Sequence, residues 1–550
     1  MLRHRATAVV GPPSFAKHHW IAFVCLALLV APGCRIPGLY KPDPGPALPN
    51  SYNGRATAEN SANIGIYEFF DDIVLAQLLT EGLAQNQELK SRNQEIYIAN
   101  SEIIARRGAY LPFLEFNGRG GFDRNSRWTP LGAAEDQLVT PTGGEFPDPL
   151  PNIRLTTDLF WRIDLWRQYR NARDAALQRY YEAIESRNYL ITQLVADTAE
   201  NYYELAALDK RLQFLNQTIA IQEQSLDVAR AQKEAARGTE LGVQRFLAEV
   251  RKNQAERFVV QQRIIEVQNR INVLVGRFPQ PVERTNWDVI KLDSRMIRVG
   301  IPAELLRNRR DIQAAEREVA AAGLDVLVAR ANFFPRLDIT ANVGFESFDP
   351  QYLFNPDALI ASAAGNLAAP LINKSAIRAE YFTANGRQLQ AIYDYQRTVL
   401  NAFTEVVNNV TKAENYRQSV LIKQREVEAL EQSVEVARNL FRAPLDEEFA
   451  RVEYVDVLLA TRDLLDARTE LLETKQQQLS AIVRAYQALG GGYLITNAGE
   501  EFSELFCGPV QVESYEVLQP HEMFNPTSPN EGLELLPAAP PEALPPPPKP

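Results

Sequence analysis

Apolar residues recur in alternating steps of four and three through the middle of the chain. From Leu177 the steps fall on Tyr181, Ile184, Asn188, Ile191, Val195, Thr198, Tyr202, Leu205, Asp209, Leu212, Asn216 and Ile219. Nine of these thirteen positions are apolar, which predicts a coiled-coil seam over six heptads. Neither Gly nor Pro occurs between Asn152 and Arg237, so nothing breaks a helix there. A helix of ~70 residues is about 105 Å long. Gly238 ends it, and a second helical pattern covers about 241–275. The same design returns later: a proline-free run over 371–443, a break at Pro444, and a further helix over about 456–489.

The two halves also match residue by residue. At an offset of 223, residues 83–122 align without gaps on 306–345, with eight identities. Among them are Arg107/Arg330, Pro112/Pro335, Leu114/Leu337, Gly121/Gly344 and Phe122/Phe345. Each half therefore reads as helix, Pro, strand, loop, strand, very long helix, turn, helix.

The strand patterns have period two. Over 153–165 one face carries Ile153, Leu155, Thr157, Leu159, Trp161, Ile163 and Leu165, and the other carries Arg154, Thr156, Asp158, Phe160, Arg162 and Asp164. Over 336–346, Leu337, Ile339, Ala341, Val343 and Phe345 alternate with polar residues and Gly344. A strand over about 113–122 sets Leu114, Phe116 and Phe122 against Glu115, Asn117 and Arg119. The fourth, about 359–371, alternates poorly and is inferred from the repeat. Strict alternation over about ten residues is the pattern of a transmembrane barrel strand with a wet lumen; a half-buried soluble sheet is the alternative. The loop 123–151 is rich in Gly, Pro and polar residues, as external loops are. Four strands cannot close a barrel, and an open edge does not survive in lipid. The chain must assemble, and three copies give twelve strands and twelve helical columns.

Both ends are different in kind. Residues 1–42 contain no acid, carry Arg3, Arg5 and Lys17, and include an apolar run over 21–30. Ten apolar residues suit a signal-peptide core and are too few for a transmembrane helix. The run leads into Ala31-Pro32-Gly33-Cys34, which resembles a lipoprotein cleavage site with Cys34 as the acylated first residue. Ordinary cleavage, with Cys34 an incidental thiol, is the alternative. At the other end, eleven prolines fall within 520–550, a composition that packs no core. The expected organisation is a signal peptide over 1–33, an extended lipid-anchored segment over 34–66, repeats over 67–290 and 291–495, and a Pro-rich tail over 496–550.

Composition narrows the chemistry. The four histidines are His4, His18, His19 and His521, so the folded region has none. Histidine-based catalysis and histidine metal sites are therefore unavailable there, and the cysteines are only Cys25, Cys34 and Cys507. The net charge is −11 with no basic block, which argues against nucleic acid as a partner. The chain is not expected to be an enzyme or to hold a cofactor.

Several motifs in order carry a family resemblance. Pro37-Gly38-Leu39-Tyr40-Lys41-Pro42 follows Cys34; Asp164-Leu165 and Pro370-Leu371-Ile372-Asn373 stand at strand-to-helix junctions; Ala331-Asn332-Phe333-Phe334-Pro335 leads a helix into a strand. Tyr454-Val455-Asp456-Val457-Leu458 and Ala488-Leu489-Gly490-Gly491-Gly492-Tyr493 lie in the second repeat. Over about 34–495 the chain resembles the TolC family of outer-membrane efflux channels, in its lipoprotein branch. The resemblance implies a mainly α fold with a transmembrane β part. Two tandem repeats of long coiled-coil helices and β-hairpins would form, as a homotrimer, a 12-stranded β-barrel and a periplasmic α-helical barrel. It implies outer-membrane lipid around the barrel, and a periplasmic adaptor protein and an inner-membrane efflux pump as partners. The expected function is the exit duct for small toxic compounds. Protein secretion or metal-ion efflux is the alternative within the family, and a lipid-anchored coiled-coil scaffold is the alternative outside it.

The same resemblance singles out residues. Asp456 matches a periplasmic constriction that can carry acidic rings; the second acid is missing, since Leu459 stands three residues on. A solvated aspartate at a helix start, favoured by the helix dipole, is the other reading of Asp456. The adaptor-docking tips fall at Arg237, Gly238 and Leu241, and at Ala443, Pro444 and Leu445. The first tip has Gly242 where the family often has Asp, and the second has Pro444 where Gly is usual and is longer by about five residues.

Overall fold

The computed structural model describes residues 36–140, 143–236, 238–293, 295, 297–372, 374–442 and 454–493. In chain order its helices and strands are α1 (Ile66–Phe70), α2 (Ile73–Gln85), α3 (Gln87–Gly108), β1 (Phe113–Asp123), α4 (Pro130–Glu135), β2 (Leu150–Ile163), α5 (Gln168–Glu234), α6 (Glu240–Val275), α7 (Leu305–Asn308), α8 (Arg310–Ala331), β3 (Arg336–Ser347), β4 (Leu359–Ala368), α9 (Ser375–Arg442) and α10 (Tyr454–Ala488). The two long helices have 67 and 68 residues, about 100 Å each. Cys34, Arg237, Ala443, Pro444, Leu445 and the Pro-rich tail lie outside the described residues.

The repeat is carried at the backbone. Helices α3 and α8 both have 22 residues and start 310 − 87 = 223 positions apart. Strands β1 and β3 also start 336 − 113 = 223 apart. The last helix of each half closes on an equivalent point. Gly276, at φ +82°, follows α6, and a Cβ there would sit 2.5 Å from the Gln85 carbonyl oxygen. Gly490, at φ +98°, follows α10 and meets the Asn308 carbonyl in the same way, at 2.7 Å. Gln85 and Asn308 are themselves 223 apart. Only glycine accepts both the left-handed backbone and the close approach.

The strands form one antiparallel sheet in the order β1-β2-β3-β4. Directly paired residues share a face, so the register extends the alternation across the sheet. Leu114, Leu159, Ala341 and Ala363 line up, as do Phe116, Thr157, Val343 and Ala361. The fourth strand, weak by sequence, thus sets Leu359, Ala361, Ala363, Gly365 and Leu367 on the apolar face. It ends at Ala368, short of the expected Leu371, and Leu371 and Ile372 are exposed. The opposite face carries Glu115, Arg119, Arg154, Asp158, Arg162, Asp338 and Glu346. Arg162 donates to Asp338 at 2.6 Å, and Asn152 donates to Glu346 at 3.0 Å.

Each strand-to-helix junction is fixed locally. The Asp164 carboxylate accepts from the backbone N–H groups of Tyr169 (3.2 Å) and Arg170 (3.0 Å), satisfying donors that the start of α5 leaves open. Trp166 stacks on Phe334 with ring centroids 4.6 Å apart, and its indole donates to the Pro335 carbonyl.

The seam of α5 follows the predicted heptads from Asn188 to Leu205 and then departs from them. Asn216, expected inside, is exposed, and Leu215 is buried instead. Below this point the buried positions run Leu215, Ile219, Gln222, Leu226 and Ala229. The seven-residue spacing of Leu212, Ile219 and Leu226 is kept, but the buried position between them moves back by one residue, from Asn216 to Leu215 and then to Gln222, which rotates the seam slightly. There Leu226 and Ala229 pack on Val243 and Phe246. Tyr181, also expected inside, is exposed, with Arg317 of α8 over its ring.

Midway along α5 the seam gives way to burial on nearly every side, because α3, α6, α8 and α10 all pack there. Tyr202, Tyr203 and Leu205 are fully buried. The Tyr202 hydroxyl donates to Asp72 (3.0 Å) and accepts from the Thr285 backbone (2.8 Å), and burial pushes its pKa up to about 12. Phe69 stacks on Tyr486 at 3.9 Å. This belt ties the residues ahead of α3, the connector between the repeats and the end of α10 into one core.

Arg309, 3% exposed, holds the second repeat together at the same level. Its guanidinium pairs with Asp311 and Glu405, each at 2.7 Å, and donates to the Ala488 carbonyl at 3.1 Å. Burial opposes its charge, but the two carboxylates outweigh this and hold its pKa above the usual range.

An extended strap precedes all of this. Ile36 and Leu39 pack on the cluster of Val326, Ala329, Phe333 and Tyr381. The buried Asn385 side chain accepts from the Tyr40 N–H at 3.0 Å and donates to the Tyr40 carbonyl at 3.3 Å, as a neighbouring strand would. Further down α9, Tyr393 receives the Asp43 N–H, and Phe403 stacks on Tyr52.

Arg309→Met should strip α8, α9 and α10 of their shared counter-charge. The expected loss is about 3 kcal/mol. It should appear as a lower denaturation midpoint of the helical circular dichroism, with the starting spectrum unchanged.

Candidate functional site: a two-faced sheet above a helical tip

The molecule offers no catalytic cluster among its described residues, and no group of three or more His, Cys, Asp or Glu able to hold a metal ion is found there. What it offers is a surface divided by polarity. The sheet is apolar on one side and charged on the other, and its outer strands β1 and β4 each leave one edge unpaired. Aromatic residues gather at both ends of the strands: Trp161, Trp166 and Phe334 on the helix side, and Phe122, Phe345 and Phe354 at the loops. No described helix is long and apolar enough to cross a membrane.

At the far end the structure brings the beginning of α10 against the first hairpin. Leu458 packs on the cluster of Leu226, Val243 and Phe246, while Val457 is buried. Asp456 lies in the first turn of α10, exposed, beside a shallow groove of about 370 Å³ that Gln432, Ser433, Val436 and Leu440 of α9 also line. Leu459 is exposed on the same side of the helix. At the first tip, Gly238 precedes Thr239, which caps α6 by accepting from the Gly242 N–H at 3.2 Å. Lys233 and Glu240 bridge this turn at 2.5 Å, and hydrogen bonding to Lys233 holds the Glu240 carboxyl below its usual range. Leu241 is exposed there, so Gly238, Leu241 and Asp456 share the end of the helices opposite the sheet.

Sequence reasoning singled out one acid in α10. The structure shows a stripe: Asp456, Leu459, Asp463, Asp466, Glu470 and Glu473 follow steps of three and four, and all six are exposed. Glu470 pairs with Lys423, and Glu473 with Arg211 of α5 at 3.3 Å. The signal was present in the spacing of the acids, with Leu459 interrupting it.

The chain thus joins one sheet, apolar on one face, to helices ~100 Å long, one in each of two repeats. Comparison with known proteins shows the family. The model of the family described as outer membrane efflux protein matches residues 78–277 and 301–491. The chain belongs to the outer membrane efflux protein family, and its place is the outer membrane. It is 26% identical over 480 residues to the solvent efflux pump outer membrane protein SrpC of Pseudomonas putida, covering 86% of this chain and 98% of that one. It is 25% identical over 475 residues to the cation efflux system protein CusC of Escherichia coli K12, covering 85% and 98%. Among solved structures, the outer-membrane channel OprN superposes with a TM-score of 0.73 at 22% identity, covering 83% of this chain and 99% of that one. The open state of the Neisseria gonorrhoeae MtrE channel gives 0.72 at 20%, covering 84% and 99%.

Asp456→Ala should reduce cation selectivity in planar-bilayer recordings and weaken block by trivalent cations added from the tip side. Leu459→Asp completes the acidic stripe and should strengthen that block. Unchanged selectivity and block in Asp456→Ala, with assembly intact, would make Asp456 a surface charge only.

Proposed function

We propose that three copies of the chain form one continuous exit duct across the outer membrane and down into the periplasm. The carrying observation is the sheet: its apolar face runs through all four strands while both edges stay unpaired. In hydrocarbon such edges are satisfied only by another strand. Twelve strands from three chains would close a barrel, apolar side to lipid and charged side to water. The long helices would continue it as an α-helical barrel about 100 Å long.

Gly121 supports closure. Its repeat counterpart Gly344 sits so close to β2 that a Cβ would lie 2.0 Å from the Leu155 carbonyl oxygen. Gly121, on edge strand β1, has nothing within 4 Å. A β4 strand of a second copy, arriving as β2 does beside β3, would supply the missing close approach.

In this reading the tips, with Arg237, Gly238 and Leu241 on one side and Ala443, Pro444 and Leu445 on the other, dock a periplasmic adaptor joined to an inner-membrane pump. Asp456 contributes to an acidic ring at the tip constriction. Cys34 is acylated and anchors the strap beside the barrel. The cargo is small toxic compounds, as the names of the solvent and toluene efflux relatives suggest. Export of cations is the second reading, favoured by the acidic stripe of α10 and by the likeness to CusC. Expression with its adaptor and pump, in a host stripped of its own efflux channels, separates the two: toluene tolerance supports the first, and tolerance of metal ions alone supports the second.

Detergent-solubilised protein should be a trimer by native mass spectrometry, with a diacyl or triacyl Cys34 at its mature end. Cys34→Ser should loosen anchoring without unfolding the channel. Gly121→Val, which meets nothing within one chain, should lower the trimer fraction while helical circular dichroism stays unchanged. A monodisperse water-soluble monomer lacking Cys34 would refute the barrel.

A further inference from the structure

One pair of residues breaks the polarity of the wet face. Phe113 and Phe160 are register partners across β1 and β2, on the same side as Asn117, Arg119, Arg162 and Asp338. They are 61% and 48% exposed. Apart from Leu150 and Ile360 at the loop end and the alanines of β4, that face is polar, so large aromatic rings at its helix end depart from the pattern, and such departures concentrate at functional positions.

The next rung is the second half of the feature. Glu115 and Asp158 are also direct partners, two residues along from the phenylalanines, so the two rungs lie about 7 Å apart. Carboxylates placed directly opposite one another repel. Asp158 is held in place by Asn117 (2.6 Å) and Thr156 (3.3 Å), and both bonds fall on Oδ2. The strands beyond bring no counter-charge to these rungs: the register continues through Asn342 and Ser362 for the acids, and through Thr340 and Ala364 for the rings. Closure adds none from β4, whose wet face is Ile360, Ser362, Ala364, Asn366 and Ala368. On the other side of the rings, Arg162 is already committed to Asp338 at 2.6 Å and Tyr169 at 2.9 Å.

We propose that the Phe113–Phe160 and Glu115–Asp158 rungs together form a lumen station for lipophilic organic cations, a site that rests on the barrel reading above. The rings take the apolar body and the face of the cation, and the carboxylates take its charge. Neither rung suffices alone. Rings alone would hold any apolar solute, and carboxylates alone would hold small hydrated ions. Three copies would surround the lumen with six rings and six carboxylates, placed where the helical duct opens into the barrel.

The test uses the full-length assembled protein in planar bilayers, with probes added from the barrel side. Tetraphenylphosphonium should reduce the conductance saturably. Tetraphenylborate, of the same shape and opposite charge, and tetramethylammonium, a cation without the apolar body, should not. The double variant Phe113→Ser/Phe160→Ser should weaken the phosphonium block roughly tenfold while leaving selectivity among small inorganic ions unchanged. Glu115→Gln/Asp158→Asn should weaken both. Where a double variant fails to assemble, Phe160→Leu and Asp158→Asn singly should each cost about threefold. Equal block by tetraphenylborate, or phosphonium affinity unchanged in variants that assemble and conduct, overturns the station. A wild-type chain that never forms a conducting assembly overturns the duct reading itself, and the station with it.

Discussion

A backbone N–H or C=O in hydrocarbon has no water to turn to, and that constraint governs this molecule. Its sheet presents a complete apolar face yet ends in two open edges. Neither edge is blunted by charge on its outward-facing side: β4 has no charged residue at all. In the proposed trimer other strands would complete them, and closing them into a ring would set the spacing of the columns beneath. That would give a physical reason for two repeats whose helices and strands keep one offset: unequal halves would not share a circle.

The helices answer a different demand. A hairpin ~100 Å long has too small a cross-section to bury all its apolar residues, so much of its seam is thin and bounded by exposed charge. The largest buried side chains gather mostly in one belt around Tyr202, Tyr203 and Tyr486, with smaller clusters above and below it. Away from this belt the links between the two hairpins thin out. Arg484 pairs with Asp197 near it, Arg211 reaches Glu473 further along, and close to the tip the contact is Leu458 on an apolar cluster. Among the described residues the two hairpins are thus tied most closely near the belt.

Most of this architecture was legible because it rests on period and punctuation. The absence of Gly and Pro up to Gly238 set the end of α5, the proline-free run up to Pro444 set the extent of α9 despite Gly386 inside it, and the offset of 223 anticipated helices of equal length and matching strands. The weak fourth strand became readable only through its partners, since alanine is neutral to an alternation test and register decides its faces. The slip of the α5 seam at Leu215 was hidden for a related reason: Leu212, Leu215 and Ile219 are all apolar, so two registers fit the same residues. The site was less legible than the fold. The acidic stripe of α10 was spelled out but read at one residue, Asp456. The Asn385 clasp and the Arg309 cluster left no local trace, because each joins residues far apart in the chain. All three residues expected at the second tip, the first-tip arginine and the acylation site are of another kind again: Ala443, Pro444, Leu445, Arg237 and Cys34 fall outside the described residues.

The Asn385 clasp imposes an order on biogenesis. Tyr40 and Asn385 are separated by 345 residues, so the strap does not meet its clasp until the second repeat has been made. Contacts between such distant residues form late, since the loop between them must first be closed. The strap thus commits to α9 only once the second repeat has been made. Docking of the strap therefore reports, at residues 36–52, that the helices of the second repeat are in place.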